Sequence, residues 1–425
     1  LVSPHREQRS DVVYKPRIRQ PEDVLNLWQG YGVKLRGFNA YELPDDHEIM
    51  KPEGSWQRLH DHIGEVICSG NNEWFNYVMG WCATVIQRPN WPAGTMVMLR
   101  GDMGVGKGVF TNTLQRLMGK HGRYISSAEA WLGRFNFDTM DASLGILDEA
   151  FFAGDPRIED KMKGPITEPR RRIEPKGVDA FEVDNTMSYM ASTNREFAIR
   201  VRARDRRYGV FDVPDTHIGD LAYFDALLGE LSVNDDSGLK RMLYDLLTYD
   251  LSGFDIRTIP RTPAFDRQIE FSMTPEQAWL FEVLTRSWVF QSQHGLTAEF
   301  HHWMERVHPT LMHESYCAYC RQHRTREVWT QRKLTEWLSS DPTGPGFDYP
   351  RDQHQRGLLI GEVRHREPGK PAIAQQDNAS RRAFDLGTLA QARARFKAMM
   401  RLIVPDEDLW PSEEASDVRA DDVPF

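Results

Sequence analysis

TMVMLRGDMGVGKGVFTNTL, residues 95–114, sets the fold class of this chain. The apolar run Met96 to Leu99 is the length of one buried strand, and the positions Val109, Phe110 and Leu114 have helical spacing. Between them lies Gly101-x-x-x-x-Gly106-Lys107, the phosphate-loop pattern. Glycines 101, 104 and 106 remove Cβ atoms, so the backbone can curl and aim successive N–H groups at one anion. The start of the following helix adds more N–H groups and its positive dipole end. The stretch Gly101, Asp102, Met103, Gly104, Val105, Gly106, Lys107, Gly108 and Val109 is therefore expected to hold a nucleoside triphosphate, ATP, with Lys107 as the point charge on the β- and γ-phosphates. The residue after the lysine is usually Ser or Thr, whose hydroxyl meets Mg²⁺; here it is Gly108. Water, a carboxylate downstream or, less favoured, Thr111 must then hold the metal.

The strand SLGILDEAFF supplies that carboxylate: Leu144, Ile146 and Leu147 are apolar and Asp148-Glu149 follow at the tip. Strand tips of parallel α/β sheets are where ligands gather. Asp148 is expected to hold Mg²⁺ and Glu149 to orient and deprotonate the attacking water. Met187 to Ala191 reads as another buried strand, ending in Ser192-Thr193-Asn194, where Asn194 can reach the γ-phosphate or the water. Arg206 and Arg207 precede a further strand and can act as a finger on a neighbour's nucleotide.

Between these motifs the chain turns basic, with twelve Lys or Arg against seven Asp or Glu from Lys161 to Arg207, although the whole protein carries a formal charge of −9. RRRIE and DAFEV flank Pro175-Lys176-Gly177, the signature of a hairpin with Lys176 at its tip. Lys163, Arg171, Arg172 and Lys176 are candidate contacts to the phosphates of a DNA strand, against the blander reading of a solvated hairpin.

The order of GDMGVGKG, ILDEA, ITEPRRRIEPKG, ASTN and DRRYGVFDV resembles superfamily 3 helicases, specifically the helicase part of phage, plasmid and poxvirus-type primase-helicases. The resemblance runs from about Pro21 to Val213. It implies an AAA+-related α/β ATPase assembled as a homo-oligomer, a hexameric ring, with ATP between subunits and hairpins drawing single-stranded DNA of a replication fork through the channel. No primase carboxylate triad stands out in this chain, so any primase domain of the resemblance is expected before Leu1. An initiator or remodeller that does not unwind, and a DNA-binding scaffold with a silent ATPase, are the alternatives.

The remaining expectations concern organisation. The 425 residues allow two or three domains, and no apolar run reaches the about 18 residues a membrane span needs. Four cysteines in so long a chain indicate a reducing, cytoplasmic setting. The chain begins at Leu1 and reads as a fragment of something longer. Residues 1–20 read as a flexible basic arm, 21–92 as a helical N-terminal region, 93–215 as the ATPase core and 216–290 as a helical lid and linker. Residues 291–404 read as a winged-helix-like domain and 405–425, with eight acids against one Arg419, as a disordered acidic tail. His313, Cys317, Cys320 and His323 lie too close along one helix to converge on one zinc, so a packed helix is the preferred reading there.

Overall fold

The structure, a computed structural model, describes residues 11–21, 24–38, 49–127, 132–133, 136–148, 156–177, 179–202, 205–287, 303, 305–349, 359–363, 374–377 and 383–410. The chain divides into two compact units, 1–201 with 205–268, and 202–204 with 269–425.

In the first unit, short parallel strands β1 (Asp11–Val13) and β2 (Val24–Asn26) precede helix α1 (Gln57–Asp61), which runs into a π-helical turn, His62–Ile67. Helix α2 (Asn72–Gln87) follows, capped by the Asn71 side chain on the N–H groups of Glu73 and Trp74. The central sheet is built from β3 (Met96–Arg100), β4 (Gly122–Ile125), β5 (Leu144–Asp148), β8 (Ser188–Thr193) and β9 (Tyr208–Asp212), with α3 (Lys107–Met118) after β3. Helix α4 (Pro156–Thr167) and the antiparallel hairpin β6 (Arg170–Ile173) and β7 (Phe181–Asp184) lie between β5 and β8 in sequence. Spatial order is β4-β5-β8-β3-β9, all parallel. Near-continuous apolar strands such as MVML follow from burial on both faces.

One face carries Val97, Leu99, Leu144, Ile146, Met190 and Phe211 into a single core with Phe110, Leu114 and Leu117 of α3 and Trp81, Val85 and Ile86 of α2. The long segment α5 (Leu221–Leu247) joins that core through Leu227, Leu231, Leu243 and Leu246. It is broken at Val233–Asp236, where Asn234, Asp235 and Asp236 take left-handed φ of 45°, 60° and 59°, a region Asn and Asp tolerate. Glu230 reaches back across the chain: it accepts from Ser55 Oγ at 2.7 Å and from the N–H of Arg58 at 2.8 Å. Ser55 Oγ in turn accepts from the Gln57 N–H at 3.1 Å, so a distant carboxylate and a local hydroxyl together serve the start of α1. Arg267 of helix α6 (Pro263–Phe271) and Arg100 at the end of β3 both pair with Asp212, the last residue of β9.

The reading of 1–20 as a loose arm is corrected where the structure describes it. Tyr14 is buried, with its hydroxyl 2.7 Å from Ser143 Oγ, and buried Arg17 donates to the Gln87 carbonyl at 2.8 Å. Residues 1–10 of that arm lie outside the described residues. Trp28 stacks on His121 just beyond α3, and the Gly32 N–H bonds the Leu117 carbonyl at 2.7 Å, so the irregular segment after β2 clamps the end of the loop helix.

The second unit holds α7 (Pro275–Arg286), α8 (Pro309–Gln322), α9 (Gln331–Leu338), α10 (Leu389–Met400) and the short α11 (Asp406–Leu409). Two small antiparallel pairs accompany them, β10 (Arg306–Val307) with β13 (Phe384–Asp385), and β11 (Leu359–Val363) with β12 (Ala374–Asp377). The boundary expected at 290 falls earlier: α7 belongs to this unit, where Trp279 Nε1 donates to Ser315 Oγ at 3.0 Å. The acidic tail is likewise ordered at its start, since buried Trp410 packs on Phe281 with ring centroids 5.1 Å apart and Arg393 lies over it. Residues 411–425 of the tail lie outside the described residues. Cys317 Sγ lies 3.5 Å from His313 Nε2, which itself bonds the Trp329 carbonyl at 2.9 Å, while Cys320 is buried. Among the described residues no cluster of three or more His, Cys, Asp or Glu could hold a metal, and no helix is long and apolar enough to cross a membrane.

Candidate nucleotide site

Strand β3 delivers the glycine loop at its C-terminal end, beside the ends of β8 and β9. Gly104 and Gly106 have φ of +89° and +97°, the left-handed region that only glycine enters freely. Gly106 is also crowded. A Cβ there would stand 2.4 Å from His62 Nε2 and 3.0 Å from Phe224. Helix α3 starts at Lys107 with no side chain capping it, which leaves first-turn N–H groups for an anion. Lys107 folds back: its Nζ donates to the carbonyls of Gly101 at 2.6 Å and Asp102 at 2.7 Å.

A cleft of about 480 Å³ opens over this loop, lined by Met103, Gly104, Gly106, Lys107, Gly108, Val109, Asn112, Asp148, Ser192, Asn194 and Phe224. That volume is in the range of small-ligand sites. The fold thereby brings eight sequence-predicted residues to one place: six of the loop, plus Asp148 and Asn194. Asp148 and Ser192 are register partners on β5 and β8, and Ser192 Oγ donates to Asp148 Oδ1 at 2.6 Å. The donor set suits a hard divalent cation, which takes oxygen ligands from one or two carboxylates. Gly101 and Asp102 contribute by holding Lys107 rather than by lining the cleft. The Val105 side chain is buried in the core, which leaves its main chain for a ligand. Thr111, the less favoured metal holder, is buried and donates to the Gly108 carbonyl at 3.3 Å, and it does not line the cleft. Glu149 lies outside the described residues.

Ser192, Asn112, Phe224 and His62 were not singled out from sequence. Ser192 had a signal in the polar STN after an apolar strand; Phe224 and His62 had none, being 118 and 44 residues from Gly106 in the chain. The His62 imidazole is fully buried, with Nδ1 3.0 Å from the Tyr223 hydroxyl, and Tyr223 stacks on His217. Burial pushes the His62 pKa down to about 4, so the ring beneath the loop is neutral at physiological pH.

Arg206 is exposed and Arg207 is half-buried and paired with Asp205 at 3.2 Å; neither lines this cleft. The expected hairpin is present, with the Lys176 side chain exposed at its turn and Gly177 at φ +77°. Arg172 is exposed and Lys163 half-buried on α4. Arg171 faces inward instead. Its guanidinium donates to Thr139 Oγ1 at 2.9 Å and to the carbonyls of Thr139 and Met140, so its donors pin the hairpin to the 137–141 turn. Asn136 completes that anchor, bonding the Arg172 carbonyl and the Glu174 N–H, each at 3.0 Å.

A family of unknown function (DUF5906) matches residues 99–207, from the end of β3 to Arg207. No curated protein matches the chain. Among solved structures, the apo C-terminal region of NrS-1 (305–718) aligns over 88% of this chain and 84% of that one, at 14% identity and a TM-score of 0.55. The A form of the apo NrS-1 C-terminal region aligns over 65% of this chain at 15% identity and a TM-score of 0.50. The chain spans 64% of that second structure, just under two thirds of its length. At these identities the likeness is one of fold: an α/β core with a five-stranded parallel sheet.

Proposed function

We propose that the chain is an ATP-driven DNA motor of phage or mobile-element replication, a helicase of the superfamily 3 type and the helicase part of a primase-helicase. The observation that carries this is the meeting of Lys107, Asp148 and Asn194, from three segments of the chain, in one cleft at the C-terminal ends of β3, β5 and β8. A solvated glycine turn needs no carboxylate and amide facing its lysine. The fold likeness to the NrS-1 C-terminal region supports the same reading.

In this reading Lys107 leaves its two loop carbonyls for the β- and γ-phosphates, and the α3 N-terminus adds main-chain donors. Mg²⁺, when bound, neutralises charge on the phosphate oxygens, and Asp148, steadied by Ser192, would hold it. Glu149 takes a proton from the attacking water and Asn194 senses the γ-phosphate. Exposed Arg206 is the better finger toward a neighbouring copy in a ring, because Arg207 is already paired with Asp205. Lys176 and Arg172 face the DNA strand; Arg171, spent on internal carbonyls, leaves that set. The test is hydrolysis and fork unwinding by purified protein. Lys107→Ala and Glu149→Gln should each abolish DNA-stimulated ATP turnover, and wild-type rates in both would end this reading.

A further inference from the structure

Sequence leaves the metal-facing hydroxyl of the phosphate loop unfilled, because Gly108 follows Lys107. Space is not the reason: a Cβ at 108 would meet nothing nearer than Asn112 Nδ2 at 4.0 Å. The next hydroxyl along α3, Thr111, is buried and turned to the Gly108 carbonyl. Among the residues lining the cleft, the one hydroxyl belongs to Ser192.

Resting on the nucleotide reading above, we infer that Ser192 is the positioning residue for the cation site, holding Asp148 in the orientation that a divalent ion with ATP requires. Three features support this. Ser192 and Asp148 are directly opposite in parallel register at the ends of β8 and β5, so the rigid sheet sets their separation. The O–H···O contact is 2.6 Å, at the short end of the range for such bonds. Ser192 is 3% exposed, so water competes little for that bond, whereas Asp148 at the strand tip is exposed to the cleft. The bond occupies one carboxylate oxygen and leaves the second for the cation. A free strand-tip aspartate would sample several rotamers and lose part of its affinity in being ordered; the serine does that ordering beforehand. Partners that orient a metal ligand in this way typically change metal affinity about 10- to 100-fold.

The experiment measures Mn²⁺ binding by electron paramagnetic resonance in the presence of a non-hydrolysable ATP analogue, beside binding of a fluorescent ATP analogue in EDTA. Ser192→Ala and Ser192→Cys should each weaken Mn²⁺ about 10-fold or more, and by a larger factor than they weaken metal-free nucleotide binding. Ser192→Thr, which keeps the hydroxyl, should stay within about twofold of wild type by the same reasoning. Thermal melts show that each variant is folded; the cysteine variant keeps the side-chain volume if alanine loosens the strand tip. Wild-type Mn²⁺ affinity in the alanine and cysteine variants overturns the assignment while leaving the nucleotide reading intact. Absence of nucleotide binding by the wild type in both EDTA and Mn²⁺ overturns the nucleotide reading itself, and this assignment with it.

Discussion

His62 lies directly against Gly106: its Nε2 occupies the place where any side chain at 106 would begin, 2.4 Å from an ideal Cβ. The glycine before Lys107 is thus required twice, by its φ of +97° and by the imidazole behind it. Gly106→Ala is expected to cost about 1–3 kcal/mol from backbone strain alone and to abolish ATP-analogue binding. His62→Ala in that background should recover part of the melting temperature and none of the binding, because the left-handed φ persists. Full recovery of binding would show that crowding, not backbone conformation, sets the requirement.

Lys107 is satisfied by two carbonyls of its own loop. Lys107→Ala should therefore lower apo stability only modestly, by about 1 kcal/mol, while reducing ATP-analogue affinity at least tenfold. Thermal denaturation with and without the analogue checks both halves; equal ligand stabilisation of variant and wild type would contradict the phosphate role.

Two buried imidazoles make the first unit acid-sensitive. Burial lowers both His62 and His121 from 6.5 to about 4. His121 is held neutral between the Asp141 carbonyl at 2.7 Å and the Gln29 N–H at 2.9 Å. The unfolded chain binds these protons first as pH falls, so the stability of the neutral forms is present above about pH 6.5 and is lost progressively down to about pH 4. Each ring contributes at most about 3 kcal/mol across that window. Urea melts from pH 7 to pH 4.5 should show the loss, with a shallower slope for His121→Gln; parallel slopes would count against it.

The hairpin arginines and lysine should separate cleanly. Lys176→Ala is expected to leave the melting temperature unchanged and to lower the slope of log affinity for single-stranded DNA against log salt by about 1. Arg171→Ala should instead destabilise by about 2 kcal/mol, since it removes three hydrogen bonds that hold the 137–141 turn. The reverse pattern would exchange their roles.

Gly108→Ser has room and an ordinary helical backbone, so it should fold normally, gaining a few tenths of a kcal/mol or more in helix propensity. A tighter Mn²⁺ site in this variant would show that the loop accepts the missing hydroxyl; the paired melt and metal titration read both effects.

Local chemistry made much of this protein legible in its amino-acid order. MVML, GIL and MSYMA read as strands buried on both faces, and glycines followed by Lys107 read as a strand-to-helix turn whose geometry suits an anion. The hairpin around Lys176 was equally readable, because Pro-Lys-Gly between two β-prone runs constrains only near neighbours. Tertiary structure alone decided the rest. Which strand lies beside which is set by crossovers of dozens of residues, so the Asp148–Ser192 pair, the His62 wall behind Gly106 and the Glu230 cap of α1 leave no local pattern. Arg171 and Arg172 are adjacent and chemically identical, yet the pleat turns one inward to carbonyls and the other out to water. Sequence specifies what each segment can be; long-range packing specifies which groups meet, because burial and hydrogen-bond satisfaction are properties of the assembled core rather than of any stretch within it.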